Sequence, residues 1–265
     1  MMGRSTTLNG FAVRREEDQS RRLVLVRAGA GFFFLVALAG LIWWLLSSGA
    51  FEVKRVESGS YRYTEATALE AVFGEFIGQN IWTLASDDIA AAVVALPWVR
   101  DVRVLRSLPN DIQLDFREWT PLLMVEPITI EGRVYDRLVL LEDGRLLSFP
   151  EHLLLPALPV LVGVRPVRQG DDPTLRLPVE LTSQLLELIF SIEDAGLEST
   201  HPVDFVVARS EGFAIVLQDE QGSLLVGREE FGSRIQRYMT ARDHVGLGLV
   251  YDLRFKDRIT VREEY

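Results

Sequence analysis

The sequence predicts an α+β protein behind a single N-terminal transmembrane helix, with a small β-α-α-β-β domain followed by a mixed β-sheet domain with flanking helices. Three observations predict it. An uncharged apolar run extends from Ala28 to Phe51. A strand, two amphipathic helices and two alternating strands follow in order to about residue 120. After Pro121, many short β-rich runs are interrupted by only two helical patterns.

The apolar run, AGAGFFFLVALAGLIWWLLSSGAF, has no polar stripe, so it does not read as a core helix. At 1.5 Å per residue it reaches about 36 Å, enough for a hydrocarbon core of about 30 Å. Trp43 and Trp44 lie near its far end, where indole rings favour the membrane interface. A cleaved signal peptide would be shorter and end in an A-x-A-like site. Arg21, Arg22 and Arg27 precede the run, and short basic flanks stay in the cytoplasm. The reading is a cytoplasmic tail over 1–27, a membrane helix over 28–50, and an extracytoplasmic remainder, in a type II topology.

Charge supports that division. Net charge is −10, yet residues 1–50 hold six Arg against three acids, leaving 22 basic and 35 acidic residues beyond. So acidic a body does not match a phosphate backbone, and no nucleic-acid partner is expected. Absence of Cys excludes disulfides, Cys-ligated zinc and a thiol nucleophile.

The first extracytoplasmic domain is predicted over 51–121. Phe51–Ser60 alternates as a strand. Thr64 N-caps a helix carrying Ala66, Leu69, Ala71, Val72, Phe73 and Phe76. After Gly78-Gln79-Asn80-Ile81, Ser86-Asp87-Asp88 opens a second helix with Ile89, Ala92, Val93 and Leu96 inward, and Pro97 stops it. Trp98–Val104 and Ile112–Glu118 alternate as strands around the turn Leu108-Pro109-Asn110-Asp111.

The second domain is predicted over 122–265. Strand-like runs are Leu122–Val125, Arg133–Tyr135, Val139–Leu141, Leu146–Phe149 and Leu158–Gly163, with an Asp143-Gly144 hairpin turn. Leu181, Leu185, Leu188, Ile189 and Ile192 mark a helix between Pro178 and Gly196. Strands Val203–Ala208, Phe213–Leu217 and Leu224–Val226 precede a helix over Glu229–His244 with Phe231, Ile235, Tyr238 and Met239 inward. Leu249–Phe255 and Ile259–Glu263 close the pattern around Lys256-Asp257-Arg258.

No catalytic constellation emerges. His152, His201 and His244 are scattered, and no H-E-x-x-H, Ser-x-x-Lys, G-x-S-x-G or Walker A pattern occurs. Asp243-His244 point in different directions on a helix. Asp87-Asp88 read as helix N-terminal charge, and Asp171-Asp172 as a solvated loop. No enzyme activity, cofactor or metal is expected. The β-branched run Ile259-Thr260-Val261 in a terminal strand instead reads as a sheet edge able to accept another strand.

Taken in order, Leu96-Pro97-Trp98-Val99, Val102, Val104, Pro109-Asn110-Asp111-Ile112 and Glu118-Trp119-Thr120-Pro121 resemble the FtsQ-type POTRA domain, and Asn80-Ile81-Trp82 fits the same pattern. Asp143-Gly144, Leu158-Pro159-Val160-Leu161-x-Gly163, Ile215-x-Leu217-x-Asp219, Val226-x-Arg228 and Tyr251-Asp252-Leu253-Arg254-Phe255 resemble the β-domain of the FtsQ/DivIB family. Two departures occur: Val250-Tyr251 inverts the usual order before Asp252, and Val226-Gly227 replaces Leu-Gly. The resemblance implies a bacterial inner-membrane divisome scaffold at the septum, serving septal peptidoglycan synthesis. By that resemblance the C-terminal edge strand receives FtsB by β-strand addition, with FtsL alongside, and FtsW, FtsI or FtsK are further possible partners. Partner-binding residues implied or expected are Arg209, Arg254, Phe255, Asp257, Ile259, Thr260 and Val261. Arg254 would supply a charged fork, Phe255 an apolar anchor, and Arg209 a hold on a second acid. The alternatives are a POTRA-bearing component of an envelope transport or secretion system and a membrane-anchored hydrolase.

Overall fold

The computed structural model describes residues 27, 29–45, 47–168, 174–218, 222–244 and 249–263. The basic tail before Arg27, the Asp171-Asp172 pair and Asp219 lie outside the described residues. The chain forms two compact units. One takes in the described residues up to Ser60, with Ala66–Ala95 and Val102–Phe116; the other takes in Tyr61–Glu65, Leu96–Asp101 and the chain from Arg117.

Residues 29–45 are helical, and Phe32, Phe33, Phe34 and Leu35 on this stretch are exposed. Among the described residues no helix is long and apolar enough to cross a membrane. Ala28 and Leu46, inside the apolar run, are outside the described set.

The first unit is organised by β1 (Arg55–Ser58), α1 (Ala66–Phe76), α2 (Ser86–Val94), β2 (Val99–Ser107) and β3 (Asp111–Glu118). The sheet order is β1-β3-β2, with β1 parallel to β3 from Arg55 opposite Asp111 to Ser58 opposite Leu114. The helices bury the positions their period dictates, Leu69 and Phe76 on α1 and Ile89 and Val93 on α2. On β3 the alternation delivers Ile112, Leu114 and Phe116 to the buried face. Each such side chain contributes about 1.5–3 kcal/mol relative to exposure. Asp87 and Asp88 sit in the first turn of α2, where the helix dipole favours them.

Two expectations need correction. The strand expected over Phe51–Ser60 is shorter, because Gly49–Phe51 forms a 3-10 turn. Thr64 does not cap α1 with its side chain. Its hydroxyl donates to Glu118 Oε1 at 2.6 Å, and the same carboxylate accepts the backbone N–H groups of Arg62, Tyr63 and Thr64. An acid 54 residues from Thr64 therefore accepts from four donors of this turn, a pairing no local pattern encodes.

The second unit carries β4 (Leu123–Val125), β5 (Ile128–Ile130), β6 (Arg133–Tyr135), β7 (Leu138–Leu140), β8 (Arg145–Ser148), β9 (Val160–Val162), β10 (Val167–Arg168) and β11 (Leu175–Arg176). Helices α3 (Val179–Asp194) and α4 (Leu197–Thr200) follow, then β12 (Val203–Arg209), β13 (Gly212–Leu217), β14 (Gly222–Gly227), α5 (Phe231–Ala241), β15 (Leu249–Asp252) and β16 (Thr260–Glu263). Eleven strands form one mixed sheet in the order β10-β11-β8-β7-β4-β9-β12-β13-β14-β15-β16, and β5 and β6 pair separately. Strand β9 runs parallel to β12, with α3 in the connection, and β14 runs parallel to β15, with α5 in the connection.

The sheet is buried on both faces near its middle. Leu123, Val125, Leu138 and Leu140 join a core with Leu185, Leu188 and Ile192 of α3 and Phe231, Ile235 and Tyr238 of α5. Met124, Val139 and Leu141, of opposite parity, pack with Trp98 and Phe149 in a second cluster. Tyr63 stacks on Trp98 at 4.8 Å, and Trp98 meets Phe149 edge-on at 6.1 Å. Burial on both faces explains why β4 and β7 read as unbroken apolar triplets rather than alternating strands.

Candidate functional site

Apart from Arg209, on β12, the expected partner-binding residues fall at one end of the eleven-stranded sheet. Strand β16 pairs antiparallel with β15, from Asp252 opposite Thr260 to Leu249 opposite Glu263, and has no second neighbour among the described residues. Its outer row of N–H and C=O groups is therefore unpaired there, the property that makes an edge a template for another strand.

Asp252 anchors this edge from beneath. It is fully buried at the end of β15, where a bare carboxylate would be expensive. Arg254 satisfies it with a two-pronged grip: Nε donates to Oδ1 at 2.8 Å and Nη2 to Oδ2 at 2.7 Å. The Arg254 backbone N–H adds a bond at 3.2 Å, and Arg262 on β16 donates to Oδ2 at 3.3 Å. These donors, the Arg254 side chain foremost, hold the Asp252 carboxyl below the usual carboxylate range against the opposing effect of burial. The third face of Arg254 reaches Glu211 at 3.2 Å, in the turn between β12 and β13. In the sequence reading Asp252 stands only within the Tyr251–Phe255 motif, and neither it nor Glu211 is among the candidate partner-binding residues. The signal available was Asp252-x-Arg254, since residues two apart on an extended chain share a face.

The guanidinium of Arg254 is thus already engaged within the chain, with its side chain 32% exposed. Arg209, at the end of β12, is exposed and forms no ion pair among the described residues. Phe255 is 40% exposed; its ring lies under the Arg258 guanidinium at 4.7 Å, and its carbonyl accepts from Arg237 at 2.5 Å. Asp257 is exposed in the connection between β15 and β16. Ile259 packs against the main core. Thr260 is half-buried and Val261 is 37% exposed on β16. Register sets Val261 opposite Tyr251, which is buried against Tyr238 at 5.1 Å, and sets Thr260 opposite Asp252. Arg254, Phe255, Thr260 and Val261 consequently line one corner of the fold, while Arg209 stands at the turn end of the β12–β13 hairpin, two residues before the Glu211 that Arg254 touches.

A second set of residues offers no comparable chemistry. Among the described residues no group of three or more His, Asp or Glu is arranged to hold a metal ion. His244 ends a 3-10 turn after α5, and its neighbour Asp243 pairs with Arg242 at 3.6 Å.

The three-stranded sheet with two helices defines the class, and residues 51–119 match the family model described as POTRA domain, FtsQ-type. The chain is similar to the cell division protein FtsQ of Myxococcus fulvus, 30% identical over 133 residues, covering 50% of this chain and 44% of that one. It is also 30% identical over 179 residues to the cell division protein DivIB of Geobacillus kaustophilus, covering 66% and 60% of the two chains. A third match is to the FtsQ of Novosphingobium aromaticivorans, 32% identical over 130 residues, covering 41% and 37%. The chain is similar to FtsQ and DivIB proteins, and the aligned segments span about two fifths to three fifths of their length. These similar proteins are named as cell division proteins.

Proposed function

We propose that this protein is a membrane-anchored scaffold of the bacterial division machinery, whose β16 edge takes an extended segment of FtsB as an added strand, with FtsL held alongside. The observation that carries the proposal is the one-sided pairing of β16, in a chain related to FtsQ and DivIB. Backbone hydrogen bonds would supply affinity, and Phe255 and Val261 would seat apolar side chains of the incoming segment. Arg209, with no ion pair among the described residues, suits a partner carboxylate, and a second acid could compete with Glu211 for Arg254. Thr260, Ile259 and Asp257 frame the same corner.

In the same reading residues 28–50 span the inner membrane, 1–27 remain cytoplasmic, and the POTRA domain (51–121) and β-domain (122–265) stand outside, at the septum. The uncharged apolar run and the arginines before it support this topology. The test is FtsB co-purification with Phe255→Glu and Val261→Lys variants of the full chain. Both are expected to lose FtsB while keeping the wild-type thermal transition. Undiminished capture by a folded double variant would remove the site.

A further inference from the structure

Where the apolar N-terminal helix gives way to the rest of the first unit, one loop is bound to its exit. Asn80 Nδ2 donates to the Leu45 carbonyl at 3.1 Å, near the C-terminal end of the helical stretch. Ile81 N donates to Phe51 O at 2.9 Å, Val53 N to Gln79 O at 2.8 Å, and Gly78 N to Val53 O at 2.9 Å. Glu52 and Asn80 form an isolated antiparallel bridge. Gly78 takes φ +86°, which lets the chain reverse between α1 and this pairing. The loop 77–82 is therefore a short strand-like splint on the segment leaving the helix.

An aromatic series runs along the splint. Trp44 meets Phe51 edge-on at 6.4 Å, and Phe51 meets Trp82 at 6.0 Å. Trp82 is 46% exposed and Ile77, at the loop's other end, 53%. Hydrogen bonding does not explain two large apolar side chains left in the open beside Gln79 and Asn80. A half-polar, half-apolar loop with an indole suits the headgroup boundary of a bilayer, where tryptophan rings prefer to sit.

We infer that the 77–82 loop is a second membrane contact, resting Ile77 and Trp82 on the lipid interface beside the exit of the anchoring helix. The inference rests on the proposal that 28–50 spans the membrane. The occupant is lipid, because the loop is hydrogen-bonded to the segment that would emerge from the bilayer, and Trp44 and Trp82 both touch Phe51. The first unit would then be fixed at two points, limiting its swing about the Ser47–Gly49 connection.

The Cys-free chain permits a direct test. The full protein is reconstituted in phosphatidylethanolamine–phosphatidylglycerol vesicles with single fluorescent labels at Leu41→Cys, Ile77→Cys or Asp115→Cys. Lipids brominated high on the acyl chain are compared with aqueous iodide as quenchers. The label at Ile77 is expected to show roughly two-fold quenching by the brominated lipid and little by iodide, as an interfacial side chain would. The label at Asp115, an exposed position on β3, is expected to show the reverse. Lipid quenching at Leu41 with iodide quenching at Ile77 would overturn the loop contact and leave the span intact. No lipid quenching at Leu41 would overturn the span and the loop contact together. Protection of Ile77 from iodide only on adding a protein partner would assign the surface to that partner and overturn the lipid reading.

Discussion

Arg254 holds Asp252 by both edges of its guanidinium, at 2.8 and 2.7 Å, and thereby ties the end of β15 to the start of the connection into β16. A fully buried acid is paired with an arginine still one-third in water, so the edge proposed for docking is built on an ionic clamp rather than on apolar packing alone. Arg254→Ala is expected to destabilise the protein by about 2 kcal/mol, the lower part of the range for charge-assisted bonds, because the arginine is partly solvated. Arg254→Lys should recover only part of this, since an ammonium does not reproduce the fork. Urea unfolding of the two variants checks the order.

The same clamp sets an acid limit. Asp252 is depressed in the folded state, so its contribution is complete above the unfolded value near 3.9 and is lost as pH falls through the lower folded value. Stability measured below about pH 4 should fall more steeply in the wild type than in Asp252→Asn. At the alkaline end Tyr238 is pushed up to about 12, chiefly by burial, with Tyr251 adding and Arg242 opposing. That contribution is present below the ordinary tyrosine value of about 10 and is lost as pH rises toward the folded one. Equal slopes in wild type and Asp252→Asn on the acid side would contradict this assignment.

Glu118 is the acceptor for three consecutive backbone N–H groups, of Arg62, Tyr63 and Thr64, and for the Thr64 hydroxyl. Glu118→Ala strands those donors and is expected to lose about 3 kcal/mol, whereas Thr64→Val should lose about 1 kcal/mol. Thermal melts and amide exchange at 62–64 report the difference.

Two glycines should respond in opposite directions to Ala. Gly212 has φ +125°, and a Cβ there would meet the Gly227 carbonyl carbon at 2.1 Å, so Gly212→Ala should cost at least about 2 kcal/mol. Gly74 lies within α1 with nothing within 4 Å of an added Cβ, so Gly74→Ala should stabilise by about 0.5–1 kcal/mol. Calorimetry of both variants tests the contrast.

The elements of the first unit were legible because each has a local cause: period in Leu69 to Phe76 and in Ile89 to Val93, and alternation in Ile112 to Phe116. The same holds for α3, α5 and the strands from Val203 onward, whose bounds shift by only a few residues. The missed elements, β5, β10, β11 and α4, are two to four residues long, too short to show a period. Thr64 misled because its hydroxyl is taken by Glu118, far along the chain. At the candidate edge, Arg254 and Phe255 were visible as a cationic and an aromatic residue together, but not that Asp252 would occupy the arginine. That pairing depends on β15 ending at Asp252, where Leu253 N turns to donate to Leu225 O at 3.0 Å.

The central claim is that a partner chain adds to β16, and site-by-site cross-linking measures it most directly. Single cysteines placed at Thr260, Val261, Arg262 and Glu263 in this Cys-free chain would be paired with cysteines along an FtsB segment. The account predicts disulfides that repeat every second residue and shift together by one register step, as neighbouring strands require. Efficient FtsB binding with no cross-link anywhere along β16 would contradict it.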